Sequence, residues 1–211
     1  MKLLDMIKWL ESQPDKTDIE KLKSGIHILD IGCNLGNYWW DLYEKLNFQQ
    51  IMGIDKYSQF DLSQNGKWST ISYNSYLNAK GAHTQISNES IFKNTFDFKQ
   101  IDIDAFFTTD YYLQKVYDLV IVSNFLYLFE KDQASNLMAK VWNALSDSGY
   151  VYIHLASEDF QFPVNRPVGA PEEDRIKFSL TKPELEKMTF PLKTICANKY
   201  GEYRDILCKK M

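Results

Sequence analysis

The chain has 211 residues, a formal net charge of −4 and an aromatic share of 15%. That length suits one domain with a buried core. The acidic balance, with no block of lysines or arginines, argues against bulk nucleic-acid binding and against binding to a membrane surface. Cys33, Cys196 and Cys208 form no C-x-x-C pair and are odd in number, so a reducing, cytoplasmic location is expected rather than a disulfide framework. His27, His83 and His154 are scattered and pair with no cysteine at ligand spacing, so no metal site is expected.

In chain order, "MKLLDMIKWLESQPD" comes first. Leu3, Met6, Ile7 and Leu10 fall on one helical face, whereas Asp5 and Lys8 interrupt any signal-peptide core. An amphipathic helix within residues 1–22 is expected to pack on the domain and is a candidate lid. No run is long enough to span a membrane. "IHILDI" reads as a strand covered on both faces. The glycine turn "GCNLG" follows, and Trp39, Leu42, Tyr43 and Leu46 mark a helix. Tyr38, Trp39 and Trp40 read as core and helix-packing residues, and Cys33 as a small apolar filler.

"QQIMGID" is a second strand ending at Asp55, and "FDFKQID" a third ending at Asp102. Between them, residues 58–95 are polar and exceed a minimal crossover, which predicts a helix with an insertion. "YDLVIVSNF" is the fourth strand. Ala134, Leu137, Met138, Val141, Trp142 and Leu145 recur at helical spacing, with Gly149 as a terminator. "YVYIHLA" is the fifth strand, on which His154 reads as a satisfied core residue. Residues 157–180 are loop-like. "TKPE" supplies a capping box from Thr181 to Glu184, and two strands around Gly201 close the chain.

Alternating strands and helices predict a doubly wound α/β protein with a mostly parallel sheet. Ligands in such sheets lie beyond the carboxyl ends of the strands. Gly32 and Gly36 permit close backbone approach, the following helix offers N–H groups to an anion, and Asp55 lies about 20 residues on, where an acid takes ribose hydroxyls.

These residues resemble a known family. "LDIGCNLG" is similar to the first motif of the class I S-adenosylmethionine-dependent methyltransferases, acid-x-Gly-x-x-x-Gly. It departs from the dinucleotide G-x-G-x-x-G at Asn34. "GID", "FKQIDI", "YDLVIVSNFLYLF" and "LSDSGYVYIHLA" resemble the family's later motifs in order. The resemblance implies a seven-stranded sheet with a reversed last strand and helices on both faces. It implies S-adenosylmethionine as cofactor and S-adenosylhomocysteine as product. The cofactor would be held by Asp30, Gly32, Cys33, Asn34, Gly36, Asp55, Lys56, Asp102, Ile103 and Ser123. Acceptor contacts would come from Asn124, Tyr127, Glu158, Asp159 and Arg166, with Phe160 and Phe162 in the same loop. No residue is singled out as a catalytic base.

The implied activity is methyl transfer to a small-molecule acceptor. The alternatives are a protein or RNA acceptor, or a non-catalytic relative that acts as an interaction partner. A nicotinamide oxidoreductase is disfavoured by the missing middle glycine.

Overall fold

In the computed structural model, the described residues are 2–33, 36, 38–56, 96–109, 116–160 and 177–211. The expected insertion at 58–95 and most of the 157–180 loop lie outside them. The strands are β1 (His27–Ile31), β2 (Gln50–Asp55), β3 (Phe96–Gln100), β4 (Tyr117–Ser123), β5 (Leu145–Ala156), β6 (Lys193–Tyr200) and β7 (Tyr203–Lys209). They form a seven-stranded sheet in the order β3-β2-β1-β4-β5-β7-β6. The chain divides into two compact units, Pro14–Lys115 and the pair of segments Met1–Gln13 and Val116–Met211.

In the first unit β1, β2 and β3 are parallel, with Asp30 paired to Gly53 and Asp55 to Gln100. Four of the five β1 residues are buried, as expected of a strand covered on both faces. Helix α2 (Thr17–Leu22) precedes β1 and helix α3 (Trp39–Leu46) follows it, burying Trp39, Leu42 and Leu46. Asn47 ends α3 in the left-handed region, and its N–H donates to the Tyr43 carbonyl at 2.8 Å. Beyond β3, Asp102 caps the short α4 (Ile103–Phe106).

In the second unit β4 and β5 are parallel, while β7 runs antiparallel to both β5 and β6. The last strand is therefore reversed, as the resemblance implied. Helix α1 (Lys2–Ser12) buries Leu3, Met6, Ile7 and Leu10 and packs on β7. Helix α5 (Lys131–Ala144) buries Ala134, Leu137, Met138 and Val141.

Helix α5 stops at Ala144 rather than at Gly149, because Leu145 is already extended and pairs with Tyr117. Lys210 satisfies the exposed carbonyls there. Its Nζ donates to Trp142 O at 3.3 Å and Leu145 O at 2.9 Å and sits 4.4 Å from the Trp142 ring centre. Helix α6 (Lys182–Thr189) carries the expected capping box between Thr181 and Glu184. No helix among the described residues is long and apolar enough to cross a membrane.

Candidate functional site

The glycine turn leaves β1 with left-handed backbone at both glycines, φ +65° at Gly32 and +60° at Gly36. The N–H groups of Gly32 and Cys33 donate to the Ile54 carbonyl at 2.9 and 3.1 Å, which fixes the turn to β2. The Gly36 N–H closes back on the Cys33 carbonyl at 3.0 Å, and its own carbonyl accepts from Trp39 N. The space beside Gly36 belongs to protein, because a Cβ there would lie 2.6–2.9 Å from the Trp39 ring. Gly53 is equally constrained, since its Cβ would meet the same indole at 2.3 Å and Cys33 Sγ at 2.7 Å. The second glycine of the motif therefore lets an indole seat under the turn, beyond any role toward a ligand.

Asp30 lies on β1 at 1% exposure. Its Oδ2 accepts from the Tyr38 hydroxyl at 2.5 Å and from Trp39 Nε1 at 2.7 Å. Its Oδ1 is buried and has no partner among the described residues. Burial pushes this carboxyl up to about 7, the two hydrogen bonds oppose the rise, and the charge of Asp55 adds to it. Cys33 is buried and its thiol is driven up by burial, as suits a packing residue rather than a nucleophile.

Asp55 ends β2 half-buried, and Lys56 beside it is exposed. The Asp55 carbonyl accepts from Ile101 N at 2.8 Å, which brings the segment after β3 alongside. Asp102 is exposed, and one of its oxygens accepts from Asp104 N at 2.9 Å in capping α4; Ile103 is buried. Asp30 near the end of β1, Asp55 at the end of β2 and Asp102 just after β3 therefore mark the carboxyl ends of three adjacent parallel strands. Asn34 lies outside the described residues.

On the second unit, Ser123 ends β4 opposite His154 of β5. Asn124 is left-handed at φ +56°, its N–H donates to the His154 carbonyl at 2.9 Å, and its Oδ1 accepts from the Tyr127 hydroxyl at 3.0 Å. Glu158 and Asp159 are engaged in ion pairs. Arg204 Nη2 donates to both Glu158 oxygens at 2.9 and 2.8 Å, and Lys199 pairs with Glu158 and Asp159. Arg166 and Phe162 lie outside the described residues. No cluster of metal-binding side chains occurs among the described residues.

Sequence reasoning missed two sets of partners. Tyr38 and Trp39 are the hydrogen-bond donors to Asp30, and Asp205 is the partner of His154, Nδ1 to Oδ1 at 2.6 Å. A lone acid inside the apolar strand "YRDILCK" was the available signal for the second.

No protein-family model matches the chain, and no curated protein matches it in sequence. Solved structures do match in fold. TehB from Haemophilus influenzae is 16% identical with a TM-score of 0.58, over 94% of this chain and 62% of that one. Magnesium protoporphyrin IX methyltransferase (ChlM) from Synechocystis PCC 6803 with bound SAM is 12% identical with a TM-score of 0.58, over 100% and 78%. The N-methyltransferase NodS from Bradyrhizobium japonicum WM9, in complex with S-adenosyl-L-homocysteine, is 13% identical with a TM-score of 0.53, over 96% and 90%. The chain thus spans about three fifths of the length of TehB. Its fold is that of the class I methyltransferases.

Proposed function

We propose that this chain transfers a methyl group from S-adenosylmethionine to a small-molecule acceptor, giving S-adenosylhomocysteine. The observation that carries the reading is the placement of Asp30, Asp55 and Asp102 at or just beyond the carboxyl ends of three parallel strands, with the Asp30 Oδ1 buried and unpartnered among the described residues. A buried acceptor without a donor fits a ligand that brings a cationic or N–H group. The bound structures of ChlM and NodS hold such a ligand on the same fold.

In this reading the cofactor supplies an activated methyl carbon. The chain's own residues bind and orient. Asp55 offers its carboxylate to ribose hydroxyls, and Asp102 keeps one oxygen for a ligand donor while the other caps α4. Ile103 N–H, Lys56 and Ser123 are also assigned to the cofactor, with Gly32, Cys33 and Gly36 of the turn and, outside the described residues, Asn34. Asn124 and Tyr127 are assigned to the acceptor side, with Arg166, which is outside the described residues, as a further candidate; Glu158 and Asp159 would act there through their ion pairs rather than as free carboxylates. Orientation of the two reactants provides much of such a reaction's acceleration, of order 7–11 kcal/mol in well-aligned systems.

Calorimetric titration with S-adenosylmethionine, S-adenosylhomocysteine and NAD tests the reading. Binding of the first two and not of NAD is expected. Binding of NAD, or of none of the three, would overturn it.

A further inference from the structure

Trp39 reaches Asp30 along a path that the backbone keeps clear for it. Its indole runs beneath the glycine turn from the start of α3, and Gly53, the β2 partner of Asp30 in register, leaves it room. A Cβ at Gly53 would lie 2.3 Å from the ring, and one at Gly36 would lie 2.6 Å from it. Packing against both glycines fixes the angle of this buried ring and delivers Nε1 to Asp30 Oδ2 at 2.7 Å. Tyr38, the N-cap residue of α3, brings its hydroxyl to the same oxygen at 2.5 Å. Two side chains adjacent in sequence thus converge on one oxygen of one buried acid.

That convergence makes the two carboxyl oxygens unequal. Oδ2 already spends its lone pairs on two donors, so the proton of the neutral acid belongs on Oδ1. Oδ1 is also the oxygen that is buried without a partner among the described residues. The titratable groups facing the carboxyl are Tyr38 from α3, Cys33 from the turn and Asp55 from β2. None of these three carries a positive charge, and the charge of Asp55 favours the neutral acid. An ionised Asp30 therefore gains two hydrogen bonds at Oδ2 but no counter-charge at Oδ1 from any of them.

We infer that Tyr38 and Trp39 are positioning residues of the cofactor site, holding Asp30 by Oδ2 so that a cationic group of the ligand takes the place of the proton on Oδ1. The inference rests on the methyl-transfer reading and adds to it a link between binding and pH. As the ligand enters, the O–H bond at Oδ1 breaks, its electron pair stays on the carboxylate and the proton leaves for solvent. The ligand's positive charge then neutralises the carboxylate in the buried site. Hydrogen bonds to an ionised group are stronger than those to a neutral one, so both donors favour the carboxylate that the ligand needs. Tyr38 and Trp39 act on the ligand through Asp30 and set the pH at which the exchange takes place.

The test counts protons. The full chain is titrated calorimetrically with S-adenosylmethionine in two buffers of different ionisation enthalpy, at pH values on both sides of about 7. The wild type should release about one proton per ligand at the acid end and almost none at the alkaline end, with the midpoint at about 7. Tyr38→Phe keeps the ring and removes the donor. Its midpoint should move up by about one pH unit, with binding at the old midpoint weakened about fivefold and binding at the alkaline end close to wild type. Trp39→Phe should move the midpoint in the same direction. A purely structural role would weaken binding alike at every pH and leave the midpoint where it was.

Binding without proton release at the acid end, or a midpoint unmoved in Tyr38→Phe, would overturn this inference alone. Failure of S-adenosylmethionine to bind the wild-type chain would overturn the methyl-transfer reading, and this inference with it. Should Trp39→Phe fail to fold, the wild-type proton count and Tyr38→Phe still decide.

Discussion

Burial holds the Asp30 carboxyl at about 7 against an ordinary 3.8, with the hydrogen bonds from Tyr38 and Trp39 working in the opposite direction. Between those two values the folded chain keeps a proton that the unfolded chain releases. Stability therefore falls as pH rises from 3.8 towards about 7 and levels off above, a change on the order of a few kcal/mol. Asp30→Asn should remove that slope, as read from urea midpoints across this range; an unchanged slope would assign it to other groups. A cationic ligand at Oδ1 favours the ionised carboxyl, so its affinity should rise through the same pH. The glycines were legible in the sequence because the left-handed backbone of the turn favours them, and the acid because it interrupts an apolar strand. The donors to Asp30 were not, because an indole N–H finds its partner through side-chain angles that spacing does not encode. Gly36 shows the same limit. Its identity was legible, but the indole that requires it to be glycine came only with the packing.

At the scale of elements, the β6–β7 hairpin is tied to the end of β5 by charge. Arg204 grips Glu158, and chiefly for that reason the Glu158 carboxyl falls to about 2. A depressed acid stabilises the fold above its ordinary value of 4.5, and the contribution is lost as pH falls towards about 2. The Glu158 side chain is 36% exposed, so solvent and salt screen the pair and its worth is at most about 1 kcal/mol. Glu158→Gln should melt slightly below the wild type at neutral pH, with the gap closing in strong acid and narrowing in high salt. Equal melting at neutral pH would show the pair contributes nothing. The hairpin itself was legible from its apolar runs and Gly201. The end of α5 was not, because the group that satisfies its carbonyls, Lys210, comes from the far end of the chain.

For the whole molecule, alternating apolar runs identified an α/β chain, since strand and helix periods are local properties. Strand order is a different kind of information. That β7 lies between β5 and β6 depends on pairing between distant segments; the resemblance implied a reversed last strand but not this order. Asp205 was overlooked for the same reason, because its meaning appears only once His154 stands opposite it. Ligand binding spreads over the chain in a way that separates these levels. A ligand at one hundred times its dissociation constant stabilises the whole fold by about 2.7 kcal/mol, which slows exchange by global unfolding at every amide alike. Direct contact adds local protection only where the ligand sits. Amide hydrogen exchange with and without S-adenosylmethionine should therefore show extra protection in the peptides carrying Asp30, Gly36, Asp55 and Asp102, above any general slowing in β6 and β7. Uniform slowing would mean the ligand binds elsewhere or through side chains alone, and the three strand-end acids would lose their assignment.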